Sequence, residues 1–126
     1  MKTLSIIESA YRATIEEQDD TIVWLHGAMR GAGAELALLL RGNTVNYLVK
    51  GQDAGGLAFG SWRQTQPPRV ADDLEGLAGK GVEIFYVAED LAERGIGQGE
   101  LIGAAKPVAR NAVADLVGRH DRVWYW

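Results

Sequence analysis

The chain has 126 residues and a mass of 13.7 kDa, with 47% hydrophobic residues, 24% charged residues and a net charge of −4. These values are ordinary for one soluble globular domain and exclude a disordered chain, while the acidic balance disfavours a nucleic-acid surface, which needs a basic patch. Because there is no cysteine, disulfides, thiolate metal sites and cysteine nucleophiles are excluded as well.

The first elements of the chain are a strand, a polar loop and a helix. The apolar run TLSIIES, residues 3–9, predicts a first strand, and the stretch AYRATIEEQ, residues 10–18, predicts a polar loop. Asp19 or Asp20 can cap a helix over residues 21–30, whose apolar residues recur every three to four positions.

The middle of the chain alternates one buried strand with long connections. The nearly all-apolar AELALLL, residues 34–40, predicts a strand covered on both faces, as in a parallel sheet. Residues 41–56 predict a loop with one helical turn around residues 45–49. Residues 57–70 read as irregular because two adjacent prolines interrupt regular structure, and residues 71–81 predict a helix.

The last third of the chain continues the alternation. Residues 82–88, VEIFYVA, predict a third strand because they are rich in β-branched and aromatic side chains. A short helix over residues 89–95, a short strand over 104–109, a helix over 111–120 and a final strand over 121–126 follow.

Strands alternating with helices predict a three-layer α/β/α sandwich in which helices cover both faces of a mostly parallel five-stranded sheet. We expect one domain over residues 1–126. Ligands of such sheets bind beyond the carboxyl ends of the strands. The connections that matter should therefore be residues 10–20, 41–56, 88–99 and 109–111.

Three stretches together resemble one known family. They are AELALLLRGNTVNYLV (residues 34–49), GVEIFYVAEDLAERGIGQGELI (residues 81–102) and VADLVGRHDRVWYW (residues 113–126). Their order and spacing resemble the DsrE family, also called DsrEFH-like, of sulfur-relay proteins. The resemblance covers most of the chain and implies a five-stranded α/β/α sandwich that assembles into homo-oligomers, often trimers or hexamers.

The resemblance also implies a site that this chain cannot reproduce. In the sulfur-carrying members, a cysteine near the end of the third strand holds a persulfide. The matching positions here are about Tyr86 and Val87, and neither side chain can form a persulfide, which requires a thiolate. The chain is thus expected to resemble the family without its sulfur-carrying chemistry.

A run of acids follows the first predicted strand. The stretch EEQDD, residues 16–20, places four carboxylates within five residues. Carboxylates suit a hard metal ion or general acid–base chemistry, but neighbours on a helix diverge, so helix capping and a solvated loop are the favoured interpretation. We expect no metal and no cofactor: His26 and His120 have no histidine partner at zinc spacing, and no phosphate-binding glycine motif is present.

The polar stretch RGNTVNYLVKGQD, residues 41–53, is the best candidate for a ligand site, because it follows a buried strand and is dense in side chains that orient polar ligands. Arg41 can hold a carboxylate or phosphate in a bidentate manner; a self-satisfied turn is the alternative. The candidate ligand-binding residues are Glu17, Gln18, Arg41, Asn43, Asn46, Tyr47, Gln52, Asp53 and Glu89.

Aromatic residues suggest an interface between subunits. A small domain must place a large amount of apolar side-chain surface here, from Trp62 and the final residues Trp124, Tyr125 and Trp126. Successive side chains of a strand point to opposite faces, so these three cannot all be buried on one face. We expect at least one of them to contact a partner chain or the rim of a pocket.

Three functions are compatible with these observations. The first is a non-catalytic, oligomeric binding or accessory protein that holds a small polar ligand or a partner protein. The second is an accessory subunit in sulfur transfer, with the cysteine on a partner. The third is an enzyme that uses carboxylates such as Glu17, Asp19 or Glu89 together with Arg41. With no secretion signal and no apolar run of about 20 residues, the expected location is cytoplasmic and no membrane partner is expected.

Overall fold

The computed structural model describes residues 1–52 and 54–126. The strands and helices follow the chain in this order: β1 Lys2–Ile7, α1 Thr14–Glu17, α2 Thr21–Gly31, β2 Glu35–Leu40, β3 Ala58–Phe59, β4 Trp62–Arg63, α3 Val70–Gly79, β5 Glu83–Val87, α4 Ala88–Glu93, β6 Ala105–Val108, α5 Val113–Gly118 and β7 Arg122–Tyr125. Three 3₁₀ segments lie between them, at Gly42–Leu48, Gln98–Glu100 and Arg110–Ala112.

Five of the strands form one sheet in the order β6-β5-β2-β1-β7, and every neighbouring pair is parallel. The predicted three-layer α/β/α sandwich with a mostly parallel five-stranded sheet is therefore confirmed. Strand β2 lies at the centre, which explains why its sequence is apolar on both faces. Among the described residues, no helix is both long and apolar enough to cross a bilayer.

The larger core lies on the sheet face that carries α2, α3 and the 3₁₀ segment Gly42–Leu48. Leu38 and Leu40 of β2 meet Leu74 and Leu77 of α3 there, and Tyr47 is buried in the same cluster. The helix predicted after the two prolines packs through these two leucines. The element begins at Val70, one residue earlier than predicted.

The opposite face carries a smaller core. Leu4, Ile6 and Leu39 of the two central strands pack there against Leu116 of α5, with Phe85 at the border of the cluster. Among the described elements, only α5 contributes helix residues to this core. Its six residues make the second layer thin.

Two local predictions were wrong. The stretch predicted as a polar loop contains the short helix α1, and the stretch predicted as irregular contains the two-residue strands β3 and β4, which pair antiparallel as a hairpin. Gly60, with φ of 59°, occupies the hairpin turn, where a residue with a Cβ would be strained. Phe59 and Trp62 stack across this hairpin with ring centroids 5.9 Å apart.

Helix α2 has the predicted start, and its buried residues are Val23 and His26. Asp20, one of the two predicted caps, accepts hydrogen bonds from the N–H groups of Ile22 and Val23. The fully buried side chain on this helix is His26. It lies against the rings of Trp124 and Trp126, at centroid distances of 6.5 and 6.3 Å.

Candidate functional site

The topology gathers several connections at one edge of the sheet. All five strands are parallel, so their carboxyl ends share an edge, and α2 and α3 begin at that edge because each runs back toward the start of the next strand. The connection from β1 to α2 and the long connection from β2 to α3 therefore meet there.

These two connections enclose a cavity of about 690 Å³. That volume is in the range of small-molecule sites. One wall is the connection after β1, another is the segment that follows the first 3₁₀ helix, and the third is the start of α3. The lining residues are Tyr11, Ala13, Thr14, Ile15, Glu16, Tyr47, Gly51, Gln52, Ala54, Pro67, Pro68, Arg69, Val70, Ala71 and Asp72.

A buried hydrogen-bond chain fixes the first wall. The phenol of Tyr47 donates to Asp20 Oδ2 at 2.6 Å and accepts from the backbone N–H of Tyr11 at 2.6 Å. Burial, together with the hydrogen bond to Asp20, raises the pKa of Tyr47 far above its ordinary value, so the phenol keeps its proton. Tyr47 was predicted to bind a ligand; its hydroxyl instead holds the cavity wall in place while the residue lines the cavity.

The same wall stores backbone strain. Among the described residues, the non-glycine residues with positive φ are Tyr11 (61°), Ala13 (49°) and Gln18 (64°), and all three lie in the connection between β1 and α2. For a residue with a Cβ, this left-handed conformation raises the free energy by about 1–2 kcal/mol. Strained residues of this kind are common at binding sites, where contacts with the surrounding structure hold the backbone in the unfavourable conformation.

Free hydrogen-bonding groups line the cavity. Thr14 is only 5% exposed, and its Oγ1 is sealed from the cavity beside the Tyr47 hydroxyl. At the opposite wall, Arg69 gives no side-chain cap to α3, so the N–H groups of Val70, Ala71 and Asp72 have no described acceptor. The first N–H groups of a helix lack intrahelical partners by geometry. The cavity therefore presents free N–H donors at the start of α3.

A second polar cluster occupies the same edge beside β5 and β6. Asp90, which is 7% exposed, accepts from the Gly42 N–H at 2.8 Å and from the Arg110 guanidinium at 2.6 Å. Burial alone would raise the pKa of Asp90, but the Gly42 N–H and Arg110 outweigh it and lower that pKa. Arg110 also pairs with Glu93 at 2.9 Å, and its backbone N–H donates to Glu89. The predicted ligand residue Glu89 is thus engaged by the protein itself.

The polar side chains predicted after β2 are also engaged within the protein. Asn43 Oδ1 accepts from the guanidinium of Arg94, and Asn46 Nδ2 donates to the Asn43 carbonyl. Gln52 Nε2 donates to the Asn46 carbonyl at 2.7 Å. These contacts match the self-satisfied turn that the sequence left as an alternative. Arg94 also donates to the backbone carbonyl of Asp90.

The structure does not bring the remaining predicted residues together. Glu17 and Gln18 are exposed in the first connection, while the side chain of Arg41 forms no ion pair with any described residue. Asp53 lies outside the described residues. Of the predicted ligand residues, Tyr47 and Gln52 line the cavity.

The positions that match the family cysteine are closed. Tyr86 is 2% exposed and Val87 is fully buried, and Val87 belongs to the smaller core. Burial raises the pKa of Tyr86. Among the described residues, no group of three or more His, Asp or Glu side chains is arranged to hold a metal ion.

The aromatic residues predicted at an interface divide between two environments. Trp124 and Trp126 are partly buried against the larger core, and Trp126 Nε1 donates to Ser5 Oγ. Tyr125 points to the other face of β7 and is 58% exposed, and Trp62 on the hairpin is 54% exposed. Because side chains alternate between the two faces of a strand, Tyr125 lies on the opposite face from Trp124 and Trp126, as the sequence predicts.

The third wall of the cavity was missed by sequence reasoning. Pro67, Pro68 and the first turn of α3 were read as a spacer followed by a helix, so this start of α3 was not assigned to the ligand edge. The available signal was topological: a helix between parallel strands must begin at the carboxyl edge. Thr14 and Tyr11 were missed because the connection containing them was assigned to a polar loop.

Comparison with known proteins gives the fold. No protein-family model and no curated protein sequence matches the chain. The crystal structure of the ychN protein from E. coli is similar over 100% of both chains, with a TM-score of 0.73 and 18% identity. MTH1491 of Methanobacterium thermoautotrophicum, a protein of unknown function, is similar over 98% of this chain and 97% of its own, with a TM-score of 0.65 and 13% identity. The chain therefore has a DsrE-like fold.

Proposed function

We propose that this protein is a non-catalytic small-molecule-binding protein on a DsrE-like fold, and that its ligand occupies the cavity at the carboxyl edge of the sheet. The observation that carries the proposal is the cavity of about 690 Å³, one wall of which belongs to the connection that holds Tyr11 and Ala13 at positive φ. Strained backbone of this kind concentrates at ligand sites.

Two further observations support binding rather than catalysis. Arg41 forms no ion pair with any described carboxylate, and Glu89 accepts hydrogen bonds from the backbone N–H of Arg110. The chain contains no cysteine, so covalent sulfur chemistry has no nucleophile. An accessory role in sulfur transfer with a partner's cysteine is the alternative and rests on the family resemblance. Copurification with a cysteine-bearing partner that exchanges sulfur would favour it.

A fragment screen by two-dimensional NMR on the full chain tests the proposal. Binding fragments are expected to shift amides of the cavity wall, such as those of Tyr11, Gln52 and Ala71. The variant Ala71→Phe, which fills the cavity from α3, should abolish these shifts. Ala92→Phe, an exposed alanine of α4 outside the cavity, is the matched control and should leave them intact. If no fragment in a chemically broad set shifts cavity amides, the proposal fails.

A further inference from the structure

The outer edge of β7 is open to another strand. Strand β7 ends the sheet and, among the described strands, pairs with β1 alone. The N–H of Trp126 donates to the Ile6 carbonyl and the Trp126 carbonyl accepts from Glu8, so both groups face β1. Successive residues of a strand direct these groups to opposite sides, which leaves the N–H and C=O groups of Val123 and Tyr125 facing outward. Such an unpaired row is a template for a further strand.

The two edges of the sheet differ in their protection against such pairing. The opposite edge strand, β6, contains Pro107, which has no N–H, and the charged Lys106. Both residue types keep an edge strand from pairing with another chain. Strand β7 has no proline, and its residues Val123 and Tyr125 are 40% and 58% exposed. The edge of β7 is therefore the one suited to a contact between chains.

A second copy of β7 is complementary to this edge. A twofold axis perpendicular to the sheet brings two β7 edges together antiparallel and keeps each side chain on its own face. With the axis at Trp124, Val123 of each copy lies opposite Tyr125 of the other, and these residues exchange both of their outward hydrogen bonds. The side chains of Val123 and Tyr125, which one chain leaves exposed, then cover each other as cross-strand pairs.

The other face of β7 supports the same register. With the axis at Trp124, Arg122 lies opposite Trp126 of the second copy, where a guanidinium can lie over an indole ring. Moving the axis one residue toward the start of the strand would place Tyr125 opposite Asp121, whose carboxylate already accepts from the N–H of Lys2. The register centred on Trp124 also places no two like charges opposite each other.

We propose that two copies of this chain pair through antiparallel β7 strands about a twofold axis at Trp124, so that their two sheets join into one. The contact consists of the hydrogen-bonded pairs between Val123 of one copy and Tyr125 of the other. A hexamer made of two trimers can contain this contact. A closed trimer cannot, because it has no twofold axis.

Light scattering coupled to gel filtration on the full chain tests the edge pairing. Val123→Pro removes the outward N–H, which β1 does not use, and Val123→Ala is the control that loses the side chain but keeps the N–H. Because each contact contains this donor twice, Val123→Pro should dissociate at a concentration at least about tenfold higher than Val123→Ala. The wild-type mass should correspond to an even number of chains. A wild-type monomer or trimer, or a Val123→Pro protein as tightly assembled as Val123→Ala, would overturn the inference.

A disulfide experiment tests the register, and it decides the question if Val123→Pro does not fold. The chain has no cysteine of its own. Directly opposed residues of a hydrogen-bonded pair have Cα atoms about 5.5 Å apart, which a disulfide can span, whereas diagonal neighbours about 7–8 Å apart are too distant. A variant combining Val123→Cys and Tyr125→Cys, oxidised with diamide, should therefore give a covalent dimer on a non-reducing gel. Val123→Cys alone and Tyr125→Cys alone should not. No covalent dimer in the combined variant, or an equal yield in a single one, refutes the pairing centred on Trp124.

Discussion

His26 is a titratable residue in a position that favours only one of its charge states. The ring is fully buried on α2, Nδ1 is hydrogen-bonded to the Ile22 carbonyl, and Nε2 has no described partner. Burial lowers the pKa of His26, although the Ile22 carbonyl and the charge of Asp20 partly oppose this shift. The imidazole is therefore held neutral, with its proton on Nδ1.

This arrangement predicts loss of stability in mild acid. The pKa of His26 is lower in the folded protein than in the unfolded chain. Its contribution to the free energy of unfolding is therefore complete above the unfolded pKa of about 6.5 and is lost as the pH falls below that value. We expect the free energy of unfolding to fall by about 1 kcal/mol between pH 7 and pH 5, measured by urea denaturation. His26→Leu should flatten this interval, while His120→Gln should retain the slope. A slope unchanged in His26→Leu would contradict the assignment.

At the scale of elements, Asp90 joins three connections that are far apart in sequence. Its two carboxylate oxygens bind the first residue of the 3₁₀ segment after β2 and the arginine that opens the segment after β6, while Asp90 itself lies in α4. Removing one partner of a buried, charge-assisted pair leaves the other unsatisfied, which is more costly than breaking an exposed pair.

We therefore expect Asp90→Asn to lower the free energy of unfolding by about 2 kcal/mol at pH 7. Glu93→Gln, which removes the exposed partner of the same Arg110, should cost less than about 0.5 kcal/mol. Because the pKa of Asp90 is lowered on folding, its contribution is present above the unfolded pKa of about 3.9 and is lost as the pH falls through the folded value. The difference between wild type and Asp90→Asn should shrink below pH 4, and a constant difference would argue against the ion pair as its cause.

The elements differ in how well the sequence predicts them. Strand β2 was predicted because a strand buried on both faces must be apolar throughout, and β5 because it is rich in β-branched and aromatic side chains. The alternation with helices then implied parallel order. The hairpin of β3 and β4 was missed because two-residue strands carry no periodicity. Helix α1 was missed because its four residues are held between left-handed residues rather than by an apolar face.

The site was predicted less well than the fold, for a physical reason. The edge of the sheet follows from topology, so the connections after β1 and β2 were identified. Which side chains are free at that edge depends on contacts between distant residues, such as Arg94 with Asn43 or Arg110 with Asp90. Those contacts engage the polar stretch after β2 within the protein itself.

At the scale of the whole molecule, the surface carries aromatic side chains that its own core does not use. Strand β7 is at one edge of the sheet, and Val123 and Tyr125 lie 40% and 58% exposed on the face that only α5 covers among the described elements. Trp62 and Phe59 form a second exposed group on the hairpin. Exposed aromatic residues of this kind are enriched at protein interfaces.

We predict that the protein assembles as a trimer or hexamer of the 13.7 kDa chain and that Tyr125 lies in the interface. Light scattering coupled to gel filtration should give the mass of the oligomer for the wild type and a monomer for Tyr125→Asp, because a charge buried in an apolar contact is costly. Trp62→Asp is the comparison, since it places the same charge on the other exposed group. Loss of the oligomer in Trp62→Asp alone would move the interface to the hairpin. A wild-type monomer at high micromolar concentration would contradict assembly altogether.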